Sequence, residues 1–334
     1  MKVCIAFFGI TRSLKYTINS INTNILDVLK NNDIKYDIYI HTFKLNNYYN
    51  YRAREKLDNV DNDEYKLLNY DYLQIDDQDE IKKEIQIEKY RTHKDPWNTG
   101  YNSVDNFILA QYSKYKLINM IEKTQINYDY VLFMRPDVEY INKLNIDYFK
   151  SVNNSTICIP NFHLYGKYNF NDRFSICNMN TYKIYGGIFK DLYEISKVQP
   201  LSSEQVLGEY IHNHKIKVNR IPFVFNRIRC DGRNNDNFSL QKYIEPNTEK
   251  QNKTIKPIFS NKTIKPIFSN KTIKPNTPKP NKTIKPNTPK PNKTIKPNTP
   301  KQNTDKQNTS KQNKTIKPNT PKQNKTIKPK TIKV

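Results

Sequence analysis

The run Tyr130-Val-Leu-Phe-Met134 constrains the fold most, because five apolar residues in succession suit a strand covered on both faces. Strands of that kind sit in the middle of parallel sheets. Arg135-Pro136-Asp137 follows at once, and a proline has no N–H to give to a sheet ladder, so the strand ends there. Asp137 and Glu139 then fall just beyond a carboxyl end, where open α/β sheets bind their ligands. Two carboxylates at that spacing suit a divalent cation, Mn²⁺ or Mg²⁺, and the cation would hold a diphosphate. A solvated acid pair in a strand-end turn is the alternative reading.

The rest of the front part supplies neighbours for that strand. Lys2 to Gly9 reads as a first buried strand, followed by a helix from about Leu14 to Lys30 that Thr11 or Ser13 would cap. Tyr36 to Phe43 is the next strand and completes a β-α-β unit, whose right-handed crossover implies a parallel sheet. Residues 44–102 are polar and read as an excursion of short helices and loops. An amphipathic helix follows, with Val104, Phe107, Ile108, Tyr115, Ile118 and Ile121 on one face. Residues 156–162 form another strand candidate. Ser202 and Gln205 have the spacing of a capping box for a helix reaching about His212. Val218 to Phe225, broken by Pro222, reads as an edge strand. The class expected is α/β, a Rossmann-like and mostly parallel sheet flanked by helices.

A net charge of +24 points at first to nucleic acid, but the charge is unevenly placed. Residues 246–334 carry 23 of the 56 Lys and Arg residues and two acids, Glu249 and Asp305, which leaves 33 basic against 30 acidic residues in 1–245. The front segment is thus near-neutral and long enough for a substantial core. In the tail the hexamer Asn-Lys-Thr-Ile-Lys-Pro occurs seven times, first at Asn252. One apolar side chain per repeat is too few for a stacking solenoid, so the composition predicts a disordered, cationic tether attracted to acidic surfaces. The expected division is therefore a domain over 1–245 and a disordered repeat tail over 246–334. The tail's Asn-x-Thr sequons matter only in a secretory context, and Met1-Lys2 leads into a strand with no cleavage signal. Apolar runs fall short of the ~20 residues a membrane span needs. Cytoplasmic placement is the expectation. Cys4, Cys158, Cys177 and Cys230 show no C-x-x-C spacing and read as buried or free thiols.

Several polar groups are candidates for a site. The turn Gly9-Ile-Thr-Arg-Ser13 would lie over a nucleotide, placing Thr11 and Arg12 against base or phosphate. With one glycine it supports neither a dinucleotide fingerprint nor a P-loop. Arg135 either faces phosphates or braces Asp137. Arg227, Arg229 and Arg233 either clamp phosphates or decorate the domain's edge. Asp172, within Asn171-Asp-Arg173, could reach a sugar or acceptor, or belong to an ordinary turn. Glu204, in the first turn of the capped helix, is a candidate general base on an acceptor hydroxyl or a carboxylate complementing the helix dipole. His212 and His214 read as surface residues.

The segments FFGITRSLKYTINSINTNIL and YDIYIHTF, the strand motif from Tyr128 to Val138, and the later blocks NDRFSI (171–176), SSEQVL (202–207) and NRIRCDG (226–232) together resemble GT-A-type glycosyltransferase-like proteins of large DNA viruses and some bacteria. The resemblance covers about residues 1–235. It implies a nucleotide-binding GT-A-like fold, a nucleotide-sugar donor, a hydroxyl acceptor and an Asp-x-Asp-like motif at Asp137. Asp137-Val-Glu139 departs from a strict Asp-x-Asp, which leaves metal dependence open. A binding or structural protein on a degenerate transferase fold, with the tail as its operative part, is the competing expectation. Nucleic-acid binding through the tail is a third.

Overall fold

In the computed structural model the described residues are 1–234 and 236, all within one compact unit, Met1–Pro257. The repeats from 246 onward, with the tail expectation attached to them, lie outside the described residues. Along the chain come β1 (Lys2–Phe8), α1 (Leu14–Ile21), α2 (Asp27–Asn31), β2 (Lys35–Lys44), β3 (Asn47–Asn50), β4 (Glu55–Asp58) and β5 (Tyr72–Asp77). Next are α3 (Gln78–Glu84), α4 (Asn102–Thr124), β6 (Tyr130–Met134), β7 (Val138–Tyr140), α5 (Asp147–Lys150), β8 (Thr156–Pro160) and β9 (Phe174–Asn178). The last elements are α6 (Tyr182–Gly187), α7 (Leu192–Val198), α8 (Ser203–Asn213), β10 (Lys217–Ile221) and β11 (Phe225–Arg227).

Seven strands form the main sheet in the order β10-β8-β9-β6-β1-β2-β5. All pairings are parallel except those of β9, which runs antiparallel to β6 and β8. The sheet is mostly parallel and helix-flanked, as the apolar runs imply. Strand β1 shows how one segment serves two cores. Cys4, Ala6 and Phe8 join the cluster under α4, while Val3, Ile5 and Phe7 join the one under α1. In β6, Val131 and Phe133 face the first cluster, Leu132 and Met134 the second. Alternation at period two, apolar at every position, is what burial on both faces requires.

The helix expected from Leu14 to Lys30 is a continuous helical run whose middle, Asn22–Leu26, widens into a π-turn. Three expectations need correcting. Residues 44–102 hold the β3–β4 hairpin and the edge strand β5 as well as short helices and loops. The last strand splits: β10 ends at Ile221 on the sheet edge, while β11 turns away beyond Pro222 to pair antiparallel with β7. The capping box does not form. The Ser202 side chain makes no cap bond, and the Gln205 amide oxygen instead accepts from the Lys167 N–H at 2.7 Å. All four cysteines are free and buried. Among the described residues no helix is long and apolar enough to cross a membrane.

Close packing of α6 on the sheet depends on Gly186. A Cβ there would meet Phe133 Cζ at 2.8 Å and Ile118 Cδ1 at 2.9 Å. Gly186→Ala should therefore destabilise the fold by about 1–3 kcal/mol through overpacking. Urea denaturation measures this, and an unchanged midpoint would show that the two side chains yield freely.

Candidate active site

The carboxyl ends of the parallel strands open onto a cleft of about 430 Å³. Phe8 at the end of β1 and Gly9 after it, Phe43 in β2, Gln78 after β5, and Arg135 with Asp137 after β6 all line it. This is the position where the topology of an open α/β sheet leaves a crevice. Gly9 holds φ +95°, a left-handed conformation that other residues adopt at a cost, and its N–H donates to Ser113 Oγ at 2.9 Å. Ser113 Oγ is 2.8 Å from His41 Nδ1, and His41 Nε2 is 3.1 Å from Asp76. His41 and Ser113 are fully buried, so this chain anchors the turn rather than meeting a substrate. Burial keeps the His41 imidazole below its usual pKa, against the pull of Asp76.

Six arginines line the cleft: Arg12, Arg52, Arg135, Arg173, Arg227 and Arg229. Among the described residues the only carboxylate in its lining is Asp137. Three local devices bring the arginines together. At the start of α1, Ser13 Oγ donates to the Ile228 carbonyl and Thr17 Oγ1 to the Pro136 carbonyl, fixing the first turn against both the β6 end and the β11 end. Strand β11 pairs with β7 so that Arg227 lies opposite Val138 and the Ile228 N–H donates to the Asp137 carbonyl at 3.0 Å. The β3–β4 hairpin adds Tyr48, whose ring lies 4.3 Å from the Arg12 guanidinium, and Glu55. Glu55 accepts from Arg12 Nη2 at 3.4 Å, Arg229 Nη1 at 3.2 Å and the Cys230 N–H at 3.0 Å, with its side chain fully buried.

Asp137 is held from two sides. Arg135 donates from Nε to Oδ1 at 2.7 Å and from Nη2 to Oδ2, while Arg12 Nη1 donates to Oδ2 at 3.1 Å. Burial by itself would raise this carboxyl, but Arg135 and Arg12 outweigh it and keep the group well below the usual carboxylate range. Arg135 thus braces Asp137 while lining the cleft.

A second layer stands behind Arg173. Glu204 Oε1 accepts from Arg173 Nη2 at 2.9 Å, and its Oε2 accepts from Ser203. Glu204 is buried and outside the cleft lining, so its geometry is that of a brace for Arg173. Asp172 lies 3.5 Å from Arg173 Nη1, and its carboxyl is held low by Arg173, Lys114 and Arg135 against a burial that would raise it. Lys114 is fully buried between the Phe8 and Tyr185 rings, 4.6 and 4.5 Å from their centroids, and donates to the Asp172 carbonyl at 3.3 Å.

The sequence-derived candidates divide accordingly. Arg12, Arg135, Arg229 and Asp137 meet in the cleft, joined by Arg227. Thr11 is buried beside it, with its carbonyl accepting the Leu14 N–H. Glu139 is on β7, between the buried Val138 and Tyr140, and does not line the cleft. Arg233 pairs with Asp231 at the surface. Tyr48, Arg52, Glu55 and Lys114 were not singled out by sequence. An acid inside a polar hairpin and a lysine on an amphipathic helix carry no local signal of burial.

The cation expected at Asp137 and Glu139 was tested against these contacts. Both Asp137 oxygens already accept from guanidinium groups, and Glu139 does not line the cleft. Among the described residues no group of three or more His, Cys, Asp or Glu side chains could hold a metal ion. The donor set does not suit Mn²⁺ or Mg²⁺.

No family model and no curated protein matches the chain. Among solved structures, the apo-form glycosyltransferase GlyE of Streptococcus pneumoniae is similar over 66% of this chain and 45% of that one, at 9% identity and TM-score 0.33. The chain thus spans less than half the length of GlyE. The galactosyltransferase LgtC, solved with donor and acceptor sugar analogues, is similar over 65% of this chain and 73% of its own, at 10% identity and TM-score 0.36.

Proposed function

We propose that the cleft binds a nucleoside-diphosphate sugar and that the protein transfers the sugar to a hydroxyl acceptor. The observation that carries this reading is the convergence of six arginines at the carboxyl ends of a parallel sheet. Guanidinium forks match phosphate oxygens in pairs, and a cluster of them, with Arg12 and Arg173 buried and Arg135, Arg227 and Arg229 partly exposed, favours a doubly charged anion. Phe8, Phe43, Tyr48 and Leu109 give the same cleft an apolar portion on which a base can rest. The resemblance of the sequence blocks to GT-A-type proteins points the same way.

In the transfer, the acceptor oxygen bonds to the anomeric carbon as the bond from that carbon to the diphosphate oxygen breaks. The bonding pair leaves with the diphosphate. Arginine side chains preorganised around the departing charge stabilise it without reorganising at the moment of reaction. The acceptor's proton needs a base. Glu204 is engaged by Arg173, and Asp172 is held low by three cations. An oxygen of the departing diphosphate, with a phosphate pKa of about 6, takes the proton instead.

Full-length protein should melt at a higher temperature with UDP or GDP, by about 2.7 kcal/mol of added stability at a hundredfold excess over Kd. A screen of sugar nucleotides should then find one that is consumed. If no nucleoside diphosphate moves the melting temperature and no sugar nucleotide is turned over, the transferase reading fails.

A further inference from the structure

We infer that this cleft takes its diphosphate without a divalent cation, and that Asp137 is a positioning residue which sets Arg12 and Arg135 for the anion. The inference rests on the proposed diphosphate site. Its first support is the charge inventory around the cleft. The six lining arginines and Lys114 face five carboxylates: Asp137, Glu55, Asp172, Glu204 and Asp236. Among the described residues two positive charges remain in surplus. A site built for a divalent cation needs the opposite balance, with carboxylates in excess until the metal arrives. Here the surplus already has the sign and size that a diphosphate would neutralise.

The second support is the state of Asp137 itself. A metal ligand must offer a lone pair, and Arg135 and Arg12 already take three of the about four that the Asp137 carboxylate has. A cation bound there would sit against the buried Arg12 and the partly exposed Arg135, like charge against like. The third support is a set of unused donors. Arg12 Nε, Arg173 Nε and Arg173 Nη1 are buried without a hydrogen-bond partner among the described residues, and both side chains line the cleft with under a tenth of each residue exposed. Buried N–H groups left unpaired are costly, and an anion's oxygens would satisfy them. A hydrated cation would not.

Each guanidinium then has two jobs that a fork geometry permits, one edge on a carboxylate and another free for phosphate. Arg135 and Arg12 share Asp137, Arg12 and Arg229 share Glu55, and Arg173 is fixed by Glu204. The acids orient the arginines, and the arginines do what a metal would otherwise do for the diphosphate charge.

The test is calorimetric titration of the full chain with UDP, GDP and inorganic pyrophosphate, once in excess EDTA and once in millimolar MnCl₂ or MgCl₂. The expected result is binding of at least one of them with the same Kd, within about twofold, in both buffers. Arg135→Lys should weaken it at least about tenfold, the equivalent of 1.4 kcal/mol, in both. Asp137→Asn should still bind in EDTA, more weakly than wild type because Arg12 and Arg135 lose the carboxylate that sets them, and with the same Kd in the Mn²⁺ or Mg²⁺ buffer. If Asp137→Asn does not fold, the wild-type comparison of the two buffers still decides. Binding that appears only with Mn²⁺ or Mg²⁺ overturns the inference and leaves the diphosphate site standing. No binding of any of the three anions in either buffer overturns both.

Discussion

Glu55→Ala should destabilise the protein by about 3–5 kcal/mol, because it leaves the buried Arg12 and the partly exposed Arg229 without their shared counter-charge. Glu55 is fully enclosed and touches Arg12, Arg229 and the Cys230 N–H at once. The loss of a carboxylate between two guanidinium groups converts attraction into repulsion across a low-dielectric gap. Urea denaturation of the full chain gives the number. Glu55→Gln should lose less, since the amide oxygen still accepts from the Cys230 N–H. Equal stability of wild type and Glu55→Ala, to within about 1 kcal/mol, would mean that the hairpin is not what secures the arginines.

Lys114→Met should lose stability relative to wild type as the pH rises through the alkaline range, because only the wild-type chain sheds a buried charge there. Burial pushes the Lys114 ammonium down to about 8 despite the opposing pull of Asp172, from its ordinary 10.5. Below pH 8 the charged form is present in both folded and unfolded chains, and the full desolvation penalty is felt. Between pH 8 and 10.5 the folded chain has released a proton that the unfolded chain still holds, so this residue's contribution to stability rises with pH. Across that window the gain is about 3 kcal/mol. The difference in unfolding free energy between wild type and Lys114→Met isolates it from the tyrosines that titrate in the same range. That difference should move toward wild type as pH rises from 7 to 10. A flat difference over the same interval would show that Lys114 is neutral already, or solvated.

The two predictions probe one arrangement from opposite ends. Glu55 is an acid that holds cationic side chains at the mouth of the sheet, and Lys114 is a cation held among rings and a carbonyl beneath it. Neither is a substrate-touching group. Both set the potential that a ligand of the cleft would meet.

The strands that could be read from sequence are those buried on both faces. Tyr130–Met134 and residues 3–8 show continuous apolar runs because helices cover them on either side, and Lys35–Lys44 keeps most of that character despite Asp37, His41 and Thr42. Strand β5 escaped because Tyr72-Leu-Gln-Ile-Asp-Asp77 is only partly buried at the sheet's edge, and a half-solvated edge carries a weak pattern. Strand β9 escaped for a different reason. Five residues, Phe174–Asn178, follow the polar triplet Asn171-Asp-Arg173, and nothing local says that they insert antiparallel between β6 and β8. Ser202 and Gln205 had the spacing of a cap, yet Gln205 was drawn to the Lys167 amide, a partner 38 residues away.

The site followed the same division. The sequence by itself determined a buried strand stopped by Arg-Pro-Asp, a turn bearing Arg12, and an arginine pair at Arg227 and Arg229, because strand burial and proline's missing donor are local properties. Only the tertiary structure decided what Asp137 does. Arg12 arrives from 125 residues away and Arg135 folds back from two, so the carboxylate that spacing alone offered to a metal is already bound by guanidinium groups. Charge partners are chosen by distance in space, and the sheet, the α1 turn and the β11 return set that distance together.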